Sequence, residues 1–156
     1  MTLKTELGLK RPIAHMSHEA VLNIYYTATS LKKKATEFFR PFGLTDVQFN
    51  VLMLLLHQSG AEGGLSQASI SDMMLVNRAN ITSLIDRMEK AEFVKRTTAD
   101  DRRYNIVKMT GKAKKLLAKV RPLYAKEVQK AMSCLKDAEQ KKLILSMENI
   151  RASLYE

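Results

Sequence analysis

One cysteine, no tryptophan, three prolines and six glycines in 156 residues leave several architectures without their raw material. A lone thiol, Cys134, excludes an intramolecular disulfide framework and any multi-cysteine zinc or iron–sulfur site, and it fits a reducing, cytoplasmic setting. So few Gly and Pro residues cannot supply the frequent turns of an all-β sandwich or barrel, so helix should dominate. The longest apolar run, Val51 to Leu56, is far short of the ~20 residues of a membrane span, and the opening Met1-Thr2-Leu3-Lys4-Thr5-Glu6 has no signal-peptide core. No G-x-S-x-G elbow, P-loop, G-x-G-x-x-G or H-E-x-x-H is present, so neither catalysis nor a cofactor is expected.

Acidic residues are also scarce, 16 against 26 Lys plus Arg, for a net charge of +10. The surplus is uneven. Residues 1–44 carry seven basic and three acidic side chains (+4), residues 45–110 eight and eight (0), and residues 111–156 eleven and five (+6). Within the middle third, residues 45–76 hold no basic and three acidic groups, whereas residues 77–108 hold eight and five. A nucleic-acid surface, if present there, is a local stripe and not a general field.

The patterning that is present is helical, with 46% hydrophobic residues enough for one packed domain. Val21, Tyr25, Ala28, Ala35, Phe39 and Phe42 recur on one helix face, which Pro41 and Gly43 end. Thr45 and Gln48 form a capping box ahead of an apolar helix from Val51 to Leu56, with His57-Gln58-Ser59-Gly60 as its exit. Gly60, Gly63 and Gly64 make a loop. Ser66 caps a short helix through Met74, with Ile70, Met73 and Met74 inward. Asn77 caps the next, whose Ile81, Leu84, Ile85 and Met88 stand at i, i+3, i+4 and i+7. Its opposite face carries Ala79, Asn80, Ser83, Asp86, Arg87 and Lys90, flanked by Arg78 and Thr82.

Phe93–Thr97 and Tyr104–Met109 read as a β-hairpin with a polar tip. Thr110 caps a long helix with Leu116, Leu117, Val120, Tyr124, Val128, Ala131 and Leu135 at near-heptad spacing, which Pro122 should kink. A last helix starts at Asp137 with Gln140 as capping partner and repeats Leu143, Met147, Ile150 and Leu154. The expected fold is mainly α with a small β-hairpin wing: a winged helix-turn-helix at 44–110, and a helical dimerisation region from 1–43 and 111–156. Such an order suits duplex DNA, because a helix with an apolar back and a small, hydrogen-bonding front fits a major groove ~12 Å wide, and a basic hairpin tip suits a neighbouring minor groove.

The residues also resemble a known family. Leu44-Thr45, Gln48-Phe49 and Val51-Leu52 are similar to the L-T-x-x-Q-F-x-V-L helix start of the multiple-antibiotic-resistance regulator (MarR) family. Ile70-Ser71, Val76, Arg78-Ala79-Asn80-Ile81-Thr82 and Leu84-Ile85-Asp86-Arg87-Met88-Glu89 resemble its helix-turn-helix. Val94 and Arg96 resemble the first wing strand, Asp101-Arg102-Arg103 the wing tip, and Val107 with Met109-Thr110 the exit. The resemblance implies a homodimeric transcriptional repressor on a palindromic double-stranded operator, released by oxidation or by a small aromatic or phenolic effector. It implies DNA contacts from Asn77, Arg78, Ala79, Asn80, Thr82, Ser83, Arg87, Arg102 and Arg103, with Asp101 orienting the wing arginines. By the same analogy Tyr25, Tyr26 and His57 line an effector cavity. Leu75 and Glu92 stand where the family usually has Gly, in positions that favour positive φ, and Ala113 replaces a further Gly.

Plainer readings hold elsewhere. Lys32-Lys33-Lys34 is read as a solvated helix face, Cys134 as a small core or interface residue, and His15 with His18 as part of a loose N-terminal segment without a metal. The nine methionines are gap-filling core. The rival functions are a winged-helix protein-interaction module without DNA sequence preference, and a small-molecule enzyme that lacks any paired acid–base signature.

Overall fold

The computed structural model describes residues 2–60, 63–74, 78–98 and 105–155. Leu75, Val76, Asn77 and the wing-tip residues 99–104, Asp101, Arg102 and Arg103 among them, lie outside these, as do the side chains of Arg78, Thr98 and Asn105. The order of elements is α1 (Leu3–Glu6), α2 (Met16–Phe39), α3 (Asp46–Gln58), β1 (Leu65–Ser66), α4 (Gln67–Met74), α5 (Arg78–Lys90), β2 (Val94–Thr98), β3 (Asn105–Met109), α6 (Gly111–Met132) and α7 (Asp137–Ser153). They fall into two compact units, Met1–Lys114 and Lys115–Glu156.

In the first unit α2 starts at Met16, with His15 at its N-cap and His18 in its first turn, so this part of the N-terminal segment is ordered helix and not loose chain. A 3₁₀ turn, Arg40–Phe42, follows. Gly43, at φ 65, then reverses the chain, and its N–H bonds Arg40 O at 3.1 Å while that of Leu44 bonds Phe39 O at 3.3 Å. These two bonds satisfy the carbonyls of Phe39 and Arg40 at the end of the helix. Phe39 is fully buried, 4.6 Å from the Phe49 ring of α3. The capping box is formed: Gln48 N–H donates to Thr45 Oγ1 at 3.2 Å, and Thr45 N–H to Gln48 Oε1 at 2.9 Å.

The expected hairpin pairs Val94 with Met109 through Thr98 with Asn105. A third strand not anticipated from the sequence joins it, since β1 pairs Leu65 with Val107 and Ser66 with Ile106, giving the order β1-β3-β2. Gly64 permits this approach. A Cβ there would lie 2.5 Å from Ile106 Cγ2 and 2.6 Å from Val107 O. Ser66 caps α4 as expected, accepting from Ser69 N–H at 3.0 Å. Ile70 faces the core, but Met73 is exposed and Met74 only half-buried, which corrects their inward placement. On this two-turn helix the small Ser71 is the residue buried beside Ile70.

Thr110 caps α6 through Ala113 N–H at 3.2 Å. In the second unit α6 continues through Pro122 to Met132, and Cys134 is exposed in the turn before α7. The capping partner of α7 is Glu139, whose carboxylate accepts from Lys136 N–H at 2.7 Å. Gln140, expected in that role, instead donates to Leu135 O at 3.0 Å and so satisfies the chain leaving α6. Val21, Tyr25, Tyr26 and Leu31 of α2 are exposed, as are Leu123 and Val128 of α6, and Leu143, Ile150 and Leu154 in and just after α7.

Candidate nucleic-acid interface

Ile81, Leu84, Ile85 and Met88 are all buried, so the stripe read from the sequence fixes the rotation of α5 about its axis. Ala79, Asn80, Thr82, Ser83, Asp86, Arg87 and Lys90 are exposed. The exit of the helix is equally determined. Glu92 N–H bonds Glu89 O at 2.9 Å and Phe93 N–H bonds Met88 O at 2.8 Å, a Schellman closure with Glu92 at φ 60. The left-handed backbone expected where the family has glycine is therefore adopted by a glutamate, at ~1–2 kcal/mol for a residue bearing a Cβ. Neighbours offset this. Thr110 Oγ1 donates to Glu92 O at 2.7 Å, and Lys112 Nζ bonds both Ala91 O and Glu92 Oε2 at 2.9 Å. The Lys112 hydrogen bond, then its charge, hold the Glu92 carboxyl below the usual carboxylate range.

One flank of α5 is clamped. Arg96 on β2 places Nη2 2.5 Å from Asp86 Oδ1 and Nη1 2.5 Å from Glu89 Oε2, while its backbone N–H donates to Glu89 Oε1 at 2.9 Å. Arg96 Nε also reaches Gln67 Oε1, and Gln67 Nε2 reaches Thr82 Oγ1, each at 3.4 Å. Helices α4 and α5 and the first wing strand are thus joined by one polar network. The Arg96 backbone N–H, with its guanidinium adding to it against burial, lowers the pKa of Glu89. Burial disfavours the guanidinium charge, but hydrogen bonds to Asp86 and Glu89 outweigh it and raise the pKa of Arg96.

The other flank opens on a cleft of about 420 Å3, lined by Lys32, Thr45, Asp46, Val47, Gln48, Asn80, Ile81, Leu84 and Arg87. At ~100° per residue Asn80 and Arg87 share this edge of the helix, Thr82 and Glu89 share the clamped edge, and Ala79, Ser83 and Lys90 lie between. Of the sequence-predicted contacts, Ala79, Asn80, Thr82, Ser83 and Arg87 are therefore brought together on one exposed surface. Asn77, Asp101, Arg102 and Arg103 and the side chain of Arg78 fall outside the described residues. Tyr25 and Tyr26 are exposed on α2 and His57 on the last turn of α3, and none of the three lines this cleft. Sequence reasoning missed the clamp, for which Asp86 and Glu89 at i, i+3 were the available signal. Among the described residues no group of three or more His, Cys, Asp or Glu is placed to hold a metal ion, and no helix is long and apolar enough to cross a membrane.

Known proteins are similar to this chain in sequence and fold. The sequence profile of the MarR family matches residues 42–103. The chain is 25% identical over 128 residues to the HTH-type transcriptional regulator YwoH of Bacillus subtilis, covering 82% of this chain and 90% of that one. The fold superposes on AbsC, a MarR family regulator of Streptomyces coelicolor, with TM-score 0.80 at 18% identity over 93% of this chain and 99% of that one. It also superposes on MepR of S. aureus in complex with DNA, with TM-score 0.74 at 20% identity over 84% and 93%. Residues 42–103, which hold the capping box, α5 and the first wing strand, are thus the helix-turn-helix segment of the MarR family, and the chain is similar to DNA-binding transcriptional regulators.

Proposed function

We propose that the protein is a cytoplasmic, ligand-responsive repressor that binds a palindromic operator as a homodimer. Residues 44–110 are its DNA-binding domain, and residues 1–43 with 111–156 its dimerisation region. The observation that carries the reading is α5: an apolar back that is buried, an exit locked by Glu92, a front where Ala79 and Ser83 are small enough to let a backbone enter the major groove, and Asn80 and Arg87 on its edge as hydrogen-bonding groups. Asn77, Arg78 and Thr82 extend that contact, and Arg102 and Arg103, oriented by Asp101, enter the adjacent minor groove. The exposed apolar side chains of α2, α6 and α7 support dimerisation, since rows of this kind seldom face water in a monomer. A small aromatic or phenolic effector, with Tyr25, Tyr26 and His57 at its site, acts by changing the separation of the two recognition helices from the ~34 Å that matches one turn of DNA.

The test is selection from a randomised duplex library followed by gel-shift titration. An enriched inverted repeat is expected, bound at least ~1,000-fold more tightly than mixed sequence, and Arg102→Ala with Arg103→Ala should weaken it without loss of fold stability. No enrichment over mixed sequence, with retention of a protein partner instead, would replace this reading by the interaction-module one. Sedimentation of Leu143→Asp/Ile150→Asp should show the dimer lost.

A further inference from the structure

We propose that the cleft beside α5 seats a phosphate-backbone segment of the duplex, and that Lys32, alone of the run Lys32-Lys33-Lys34, contacts it. This rests on the DNA-binding reading above. A helix ~10–12 Å across fills a major groove ~12 Å wide, so its front meets base edges while its flanks meet the two strand backbones. One flank of α5 is occupied by Arg96 and Gln67. The other, bearing Asn80 and Arg87, is the wall of the cleft, and the cleft is therefore continuous with the proposed reading surface. Its floor is Val47, Ile81 and Leu84. Thr45 and Gln48 already bond each other in the capping box, so the charge of the cleft is set by Lys32, Arg87 and Asp46: two cations against one carboxylate. Lys32 arrives there from α2, the helix assigned to dimerisation. Lys33 and Lys34 do not line the cleft, and Lys34 is drawn to Glu37 at 3.4 Å.

Each neutralised phosphate steepens the dependence of log affinity on log salt by about 0.9. The experiment titrates the full-length protein with the selected duplex and with a mixed-sequence duplex of equal length, from ~0.15 to ~0.4 M salt, where distant charges are screened beyond ~8 Å. Lys32→Gln should make the slope shallower by about 0.9 per protomer on both duplexes, because a phosphate contact carries no sequence information. Lys33→Gln and Lys34→Gln should leave it unchanged. Asp46→Asn should raise affinity at every salt. Equal effects of all three lysine variants would show a general basic field and overturn the proposal, as would an unchanged slope in Lys32→Gln with its helix content intact by circular dichroism. Failure of the parent protein to retain any duplex would instead sink the DNA-binding reading itself.

Discussion

Arg96→Ala removes a side chain that ties β2 to α5 through two carboxylates. Hydrogen bonds to charged groups contribute ~1.5–3 kcal/mol when sheltered, but Asp86 and Glu89 are 51% and 40% exposed and Arg96 21%. Water therefore solvates the abandoned carboxylates, and each pair falls toward the ~0.2–1 kcal/mol of exposed ion pairs. Adding the lost packing of the arginine stem, the expected destabilisation is about 2 kcal/mol, well below the ~3–5 of a broken buried pair. Urea denaturation at fixed protein concentration should show a lower midpoint at unchanged slope. Arg96→Lys keeps the charge but not the fork that spans two acceptors, and should recover about half of the loss. A double-mutant cycle with Asp86→Asn should give at least ~0.5 kcal/mol of coupling. Because folding lowers the pKa of Glu89, the unfolded chain takes up this proton first. The contribution is therefore complete above the unfolded value of ~4.3 and is lost as pH falls through the folded one. An Arg96→Ala protein within ~0.5 kcal/mol of the parent at neutral pH would refute the clamp.

Gly64→Ala should cost ~1–3 kcal/mol in urea denaturation, since its methyl would meet Ile106 Cγ2 at 2.5 Å and the Val107 carbonyl at 2.6 Å; a neutral result would mean that β1 is not closely paired with β3. Glu92→Gly relieves a left-handed backbone while forfeiting the Lys112 contact, and the thermal midpoint should rise, whereas Glu92→Ala, which keeps the strain and loses the contact, should lower it. Thr110→Val deletes both the α6 cap and the hydrogen bond to Glu92 O, and should cost about 1 kcal/mol, with a lower midpoint as the readout.

What was legible in the sequence was local. The capping box needs only Thr45 and Gln48 three residues apart, and the buried face of α5 needs only its own spacing, so both could be read without knowing what packs against them. β1 could not: two residues show no alternation, and the strand exists because Gly64 lets a distant segment approach β3. Met73 was misplaced because an eight-residue helix offers too few turns to define a face. At α7 the helix and its start at Asp137 were read correctly, but the acceptor one position earlier, Glu139, took the capping role, leaving Gln140 to close the turn behind α6. Of the candidate site, the exposed face of α5 was legible and its flanks were not, because which residues adjoin Arg96 or Lys32 depends on contacts between elements.

The flanks also resolve an apparent contradiction in the sequence. A helix proposed to lie among phosphates carries Asp86 and Glu89, two negative charges that should repel its partner. With Arg96 bridging both, α5 with its clamp carries Arg78, Arg87, Lys90 and Arg96 against those two acids, and the acids are turned toward the wing strand and away from the edge that holds Asn80 and Arg87. The carboxylates then act as internal anchors for the wing. Cationic charge lining the cleft and anionic charge holding the wing strand are thereby kept apart on one helix, an arrangement that neither the net charge of the chain nor that of its middle third reveals.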